Sequence, residues 1–299
     1  MKQKEMLSRL IQTIEANQEK IREIKIIEDE YELTSLLFEN SFQECNEMIL
    51  HNIAQLIKFY LFEEKIDIKN IIARLHGIVN SSFDTQTFKR EAEDKFDEKF
   101  GTRTSEVREQ FFLNESISID RYMNSIRYHP SPVKSVYSAL DYLKNLGVEY
   151  NKYVFIDIGS GMGRNLLIAS EYPFHRIVGI EISKHLHAIA VNNIKIYKTE
   201  NQMCQNINSL CKDVKQFDIP TDKRLILYFW EPFSSKVFND LFFKLSQVAS
   251  QTGKKVVLIF LNYVFPIVNE SKIFRLEKTI KTQDKTTKTD FFKVSFYSN

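Results

Sequence analysis

The sequence predicts an α/β fold in which a doubly wound, mainly parallel sheet follows an α-helical N-terminal region. Three observations carry this. Four of only eight glycines fall within 21 positions, at Gly159, Gly161, Gly163 and Gly179. From Tyr153 onward, short apolar runs alternate with amphipathic stretches of helical length. Before Pro130 there is no proline, and only Gly77 and Gly101 interrupt a pattern of apolar residues at helical spacing.

Taken in order, Met6, Leu10 and Ile14, then Ile21, Ile24 and Ile27, mark an opening amphipathic helix. Leu36, Leu37, Phe42, Met48, Ile49, Ile53, Ile57 and Leu61 mark a second, and Ile68, Ile71, Ile72 and Leu75 a third that stops at Gly77. Residues 1–100 are therefore expected to form a helical region that acts as lid or scaffold, its helices offering a surface for self-association. Residues 101–150 are expected to be a connecting segment and a helix from Val133 to Leu146, N-capped by Ser131, with Pro132 at its first position and Gly147 at its end. Residues 151–299 read as the sheet domain. Its strands are expected at 153–158, 176–182, 206–210, 224–230 and 254–262, and its helices at 162–172, 184–198 and 234–249. Two further strands, Phe274–Ile280 and Asp290–Tyr297, flank the polar run from Lys281 to Lys288, whose lysines read as a solvated tip. They predict a terminal antiparallel pair.

The net charge of +2 hides an asymmetry. Residues 1–100 hold 14 Lys and Arg against 20 Asp and Glu, whereas residues 151–299 hold 21 against 13. The basic surplus is spread out, without an arginine patch, which argues against nucleic acid as partner. Cys45, Cys204 and Cys211 form no Cys-x-x-Cys pair and no even disulfide framework, and no metal site is indicated. Cys204 and Cys211 lie near an expected core strand, where buried free thiols are common. The N-terminus lacks a signal-like apolar run and nothing is long enough to span a membrane, so a cytoplasmic protein is expected.

The run Val154-Phe-Ile-Asp-Ile-Gly-Ser-Gly-Met-Gly-Arg164 reads as strand, glycine turn and helix start. A dinucleotide fingerprint has Gly-x-Gly-x-x-Gly and receives a pyrophosphate at the helix N-terminus. Here the spacing is Gly-x-Gly-x-Gly, and Asp157 stands two residues before the first glycine, where its carboxylate would repel phosphate. It would attract a ligand carrying an ammonium and a sulfonium, as S-adenosylmethionine does. Glu181, ending the next strand, is placed to accept ribose hydroxyls.

These motifs resemble class I S-adenosylmethionine-dependent methyltransferases, with the Rossmann-like seven-stranded sheet and terminal antiparallel pair of that class. Asp213 matches the acid that approaches the adenine, and Leu225-Ile-Leu-Tyr-Phe-Trp-Glu-Pro-Phe233 matches the fourth strand and the motif beside the transferred methyl. Phe96-Asp97, Gly101-Thr102, Thr104 and Tyr128-His-Pro-Ser131 resemble a bacterial group within the class. The Tyr-x-Pro-Ser element also resembles non-SET lysine methyltransferases. The resemblance implies that S-adenosylmethionine is bound by Tyr128, Asp157, Gly159, Ser160, Gly161, Gly163, Glu181, Ile182, Asp213 and Trp230. Relatives carry Asn-Pro-Phe or Asn/Asp-Pro-Pro-Tyr after the fourth strand; this chain has Trp230-Glu-Pro-Phe233. A glutamate accepts hydrogen bonds but, unlike an amide, does not donate when ionised. Glu231 is the candidate catalytic residue.

Methyl transfer needs alignment of acceptor, methyl and sulfur and exclusion of water, with no dedicated nucleophile or metal. An amine acceptor such as a protein lysine fits Glu231, which would orient it or relay its proton; a small molecule or sugar is the next reading. A hydroxyl acceptor needs a stronger base, for which His129 is nearest in sequence. Two other classes stay open at this stage: a non-catalytic cofactor-binding subunit, which Glu231 in place of an amide allows, and a NAD-binding oxidoreductase, which Asp157, the glycine spacing and the terminal strand pair oppose.

Overall fold

The computed structural model describes residues 2–23, 52, 55–57, 69–73, 75–76, 95–106, 108, 110, 113, 115–116, 118–125, 127–283 and 291–299. The chain divides into two compact units, one of residues 1–88 and 108–123, the other of residues 89–107 and 124–299.

In the first unit, helices α1 (Lys2–Ala16) and α2 (Gln18–Glu23) follow one another, separated at Asn17, whose amide donates to the Thr13 carbonyl at 2.8 Å. Ile11, Ile14 and Ile21 are buried at spacings of three and seven, which places them on one face. Residues 55–57 and 69–73 are helical as well, with Leu56, Ile57, Ile71, Ile72 and Leu75 buried. The apolar positions from Leu36 to Ile49, Cys45, Gly77 and the lysines at 285 and 288 lie outside the described residues.

The second unit is built on a seven-stranded sheet of order β3-β2-β1-β4-β5-β7-β6. Its strands are β1 (Tyr153–Ile158), β2 (Arg176–Glu181), β3 (Ile207–Cys211), β4 (Arg224–Phe229), β5 (Val256–Leu261), β6 (Arg275–Gln283) and β7 (Phe291–Ser298). The first five run parallel, and β7 lies antiparallel to both β5 and β6. All six residues of β1 are buried because helices cover both faces, which is why the strand reads as a nearly unbroken apolar run. Successive side chains alternate between two cores. Phe155 joins Leu166, Ile168, Ile226 and Val294 under helix α4 (Val133–Tyr142) and helix α5 (Arg164–Ala169), α3 being the short helix Phe96–Phe100. Val154, Ile156 and Ile158 join Leu227, Phe229 and Phe238 on the opposite face, with α6 being Lys184–Ile196 and α7 Ser235–Thr252. Phe229 and Phe260 are register partners on β4 and β5 and stack with centroids 5.0 Å apart. Phe238 of α7 stacks on Phe265 at 3.8 Å.

Three local expectations are corrected. Pro132, not Ser131, is the N-cap of α4, its carbonyl taking the Ser135 and Val136 amides; Ser131 Oγ instead accepts from the Asn165 amide at 3.2 Å. Helix α5 is shorter than the expected 162–172 because the turn runs on through Gly163, which has φ +86° and caps the helix in the left-handed region. Cys204 is buried as expected, whereas Cys211 is exposed because β3 is an edge strand with little cover at its end.

The strand order reverses between β1 and β4: β1 continues to β2 on one side, and β4 lies on the other. A crevice outside the carboxyl ends of these two strands is where open α/β sheets bind ligands.

Candidate active site

The glycine turn from Gly159 to Gly163 leaves the end of β1 and is tied down from several directions. The amides of Gly159 and Ser160 donate to the Ile180 carbonyl of β2 at 2.9 and 3.0 Å. Glu181, buried at the end of β2, accepts from the Gly161 amide through Oε2 at 2.8 Å and from the Ser183 amide through Oε1 at 2.7 Å. Both of its oxygens thus hold backbone, a duty that the strand-end acid gave no sign of in sequence.

Two side chains use the space that the glycines leave. A β-carbon at Gly159 would stand 2.6 Å from Cβ of Pro232, and one at Gly161 would stand 2.1 Å from Cε2 of Tyr128. Both distances are shorter than any real contact, so Pro232 and Tyr128 seat directly on the turn. The space over Gly161 is thus filled within the protein, by Tyr128.

Tyr128 is held from its other end, its hydroxyl donating to the Thr104 carbonyl at 2.8 Å. Thr104 is fully buried and sits in a polar network. Its hydroxyl donates to Asp97 Oδ1 at 2.7 Å and accepts from Arg164 Nε at 2.9 Å. Asp97 also takes the Thr102 hydroxyl and the amides of Thr104 and Ser105. Burial works to raise the Asp97 pKa, but these donors outweigh it and hold the carboxyl below its usual range. Arg164 further reaches the Ser131 carbonyl at 3.2 Å and the Ser105 hydroxyl, with its guanidinium over the Phe96 ring. Asn193 of α6 completes the clamp: its side chain pairs with both the amide and the carbonyl of Arg103 and donates to the Met162 carbonyl. Residues 95–106 are therefore fastened to the glycine turn.

A pocket of about 30 Å³ opens among Tyr128, Ser131, Asp157, Ser160, Asn165 and Trp230. Gly159, His129, Arg164 and Tyr228 also line it. Its lining is rich in buried polar atoms, the Tyr228 hydroxyl among them. Asp157 Oδ2, Asn165 Oδ1 and Ser160 Oγ are buried and make no hydrogen bond. Asp157 is 2% exposed, and its one hydrogen bond, at 3.3 Å, comes from Asn165 Nδ2 to Oδ1. Burial above all, together with the charge of Glu181, pushes its pKa up to about 7 against the opposing Asn165 contact. Burial also raises the Tyr228 hydroxyl.

Beyond the pocket, Trp230 meets His129 edge-on at 4.6 Å between centroids. Glu231 follows with φ +44°, a left-handed conformation uncommon for a glutamate. The loop is pinned on its far side as well: Phe233 bridges to Ser125, and Ser234 bonds the Asn124 carbonyl through its amide and the Asn124 side chain through its hydroxyl. The Glu231 side chain is exposed on one flank, and desolvation of the other raises its pKa.

The structure thus brings Tyr128, Asp157, Gly159, Ser160 and Trp230 to one pocket, with Gly161 under Tyr128 and Glu181 bonded to Gly161. Gly163 starts α5. Ile182 and Asp213 lie farther along the carboxyl edge, Asp213 capping the turn at 214–216 through the Lys215 amide at 2.8 Å. Sequence reading missed Ser131, Asn165 and Tyr228 and gave Arg164 no role. A signal existed for each. Arg164 and Asn165 are the two polar residues opening an otherwise apolar helix just after the glycines, and Tyr228 puts one hydroxyl into a buried strand.

The family described as "Putative methyltransferase" matches residues 151–236, from the approach to β1 into the first turn of α7. That match and the sheet, with β7 inserted antiparallel, settle the kind of domain. Residues 151–236 belong to this methyltransferase family, and the sheet has the topology of class I S-adenosylmethionine-dependent methyltransferases. Among solved structures, the RNA methyltransferase from Salinibacter ruber in complex with S-adenosyl-L-homocysteine is 19% identical, with 56% of this chain and 92% of that chain covered and a TM-score of 0.38. The magnesium protoporphyrin IX methyltransferase from Synechocystis PCC 6803 with bound S-adenosylmethionine is 14% identical, with 74% and 99% covered and a TM-score of 0.40. No curated protein matches the chain. Among the described residues, no helix of this methyltransferase is long and apolar enough to cross a membrane, and no group of His, Cys, Asp or Glu is arranged to hold a metal ion.

The residues present fit the amino-acid end of the cofactor. Three buried acceptor atoms without donors suit a ligand that brings an ammonium, and they would be costly in a pocket meant to stay dry.

Proposed function

We propose that the protein methylates an amine, a lysine side chain of a protein in the first place and a small-molecule amine in the second. When bound, S-adenosylmethionine supplies a methyl group activated by its sulfonium. Asp157 faces the positive methionine end, Glu181 accepts the ribose hydroxyls, Ile182 and Asp213 flank the adenosine, and Tyr128, Ser160 and Trp230 close the remaining sides of the cofactor site. The turn of Gly159, Gly161 and Gly163 supplies its floor.

The observation that carries the amine reading is Glu231. Its backbone is held in an uncommon conformation by Pro232, which seats on Gly159, and by the Asn124 contacts to Ser234. Conformations of this kind persist where the surroundings over-determine them, and they cluster at functional sites. The residue so held is a carboxylate that follows Trp230 in the chain, and a carboxylate attracts a cationic amine. Its raised pKa brings Glu231 closer to the range in which a carboxyl accepts a proton from an ammonium. The lysine ammonium titrates at about 10.4 in water, and desolvation lowers that value before transfer.

The test is transfer of a labelled methyl group from S-adenosylmethionine to cell extract, fractionated into protein, nucleic acid and small molecules. Label released from protein as methyl-lysine after acid hydrolysis is the expected result. Label confined to RNA would overturn the amine reading, and no label in any fraction would favour a cofactor-binding subunit without catalysis.

A further inference from the structure

Two buried carboxylates flank the glycine turn, and their surroundings are opposite. Glu181 has a backbone amide on each oxygen, at 2.8 and 2.7 Å. Asp157, one strand away, has a single amide contact at 3.3 Å on Oδ1 and none on Oδ2. Asp157 and Glu181 end neighbouring parallel strands, so two negative charges would stand in one dry region. A carboxylate that lacks donors and faces a like charge is held in its neutral form. Glu181, by contrast, is supplied with a donor on each oxygen.

We propose that Asp157 carries a proton on Oδ2 in the free protein and releases it to solvent when the ammonium group of the cofactor's amino-acid end enters the pocket. The inference rests on the cofactor reading above and goes beyond it by coupling binding to a proton. The ledger is simple. The O–H bond at Asp157 breaks, the proton leaves to the buffer, and the ligand keeps all three of its ammonium hydrogens. Those hydrogens meet Asp157 Oδ2, Asn165 Oδ1 and Ser160 Oγ, three buried atoms that no protein donor reaches.

Other charged and titratable groups around Asp157 do not remove the need for that proton. Arg164 lines the same pocket, and its guanidinium donates to the Thr104 hydroxyl, the Ser105 hydroxyl and the Ser131 carbonyl. Tyr228 on β4 is neutral at physiological pH, its hydroxyl raised by burial. Tyr128 donates to Thr104, and His129 packs against Trp230. From β2 comes only the opposing charge of Glu181.

The experiment is titration calorimetry of the full chain with S-adenosylhomocysteine in buffers of different ionisation enthalpy. The dependence of the apparent enthalpy on the buffer counts protons released. A group that titrates near 7 predicts about 0.9 proton at pH 6 and about 0.1 at pH 8, and an affinity that rises about tenfold per pH unit below 7 before levelling. Methylthioadenosine, which has the nucleoside but no amino-acid end, should bind with no proton released. Asp157→Asn should bind S-adenosylhomocysteine with none released at either pH. Binding of S-adenosylhomocysteine with the same enthalpy in all buffers at pH 6 would overturn the proposal and leave the cofactor reading standing. Release that persists in Asp157→Asn would also overturn it, because the ligand's own ammonium would then be the source. Failure of both S-adenosylmethionine and S-adenosylhomocysteine to bind would overturn the cofactor reading and the proposal together. The wild-type buffer series decides the matter even if the Asn variant does not fold.

Discussion

The Tyr128 ring rests on the backbone of Gly161 so closely that no β-carbon fits between them, while the Tyr128 hydroxyl reaches the Thr104 carbonyl. One aromatic side chain thereby joins the segment before the sheet to the turn that follows the first strand.

Gly161→Ala should destabilise the protein by about 2–4 kcal/mol, combining overpacking against the ring with an alanine at positive φ. Tyr128→Ala in the same chain should restore about 1 kcal/mol or more of that loss, because the steric part disappears. Urea denaturation of the four proteins in the cycle measures the coupling; strictly additive losses would mean the ring yields freely.

Glu231→Gln keeps the shape and removes the charge. Turnover on the amine acceptor should fall by roughly 10- to 1000-fold with cofactor affinity unchanged, the mark of a contact made mainly in the transition state. Glu231→Asn should be more stable than wild type by about 0.5–1 kcal/mol, since asparagine tolerates the left-handed backbone better. Thermal denaturation checks the second statement independently of any acceptor.

Glu181→Ala should weaken S-adenosylmethionine binding by roughly ten- to a thousandfold and also lower the melting temperature of the free protein. Two backbone amides, those of Gly161 and Ser183, lose a charged acceptor worth about 1.5–3 kcal/mol each. A variant that loses affinity with no change in melting temperature would show the backbone contacts to be dispensable.

The free protein should lose stability as pH rises from about 4 towards 8 through Asp157 alone. Its pKa is raised on folding, so the folded state binds more protons in that window, and the stability conferred below the unfolded value is lost as pH passes the folded one. Asp157→Asn removes this dependence. At pH 8 the variant should exceed wild type by up to about 4 kcal/mol, three pKa units at 1.36 kcal/mol each. At pH 4 the two should converge.

The sheet was legible because its signals are local: six consecutive buried residues in β1, glycines at the turn, and a polar run between two late strands. The pocket was legible only in part. Asp157, Ser160 and Trp230 flank recognisable motifs, but Asn165 and Tyr228 acquire meaning only once β4 lies beside β1 and α5 packs across them. The second task of Glu181, holding the Gly161 amide 20 residues back, is a tertiary contact that no spacing rule encodes. Ser131 shows the converse. Its place before a proline fits an N-cap, yet Asn165 competes for the same oxygen and the helix begins without it.

Pro232 and Tyr128 seat on glycines two residues apart although they are separated by about a hundred positions in the chain. Tyr128 arrives from before β1 and Pro232 from beyond β4, so the complete pocket exists only where β1 and β4 lie side by side. A ligand that enters it meets only molecules that have completed that assembly. Binding therefore opposes unfolding, by an amount that grows with the logarithm of ligand concentration.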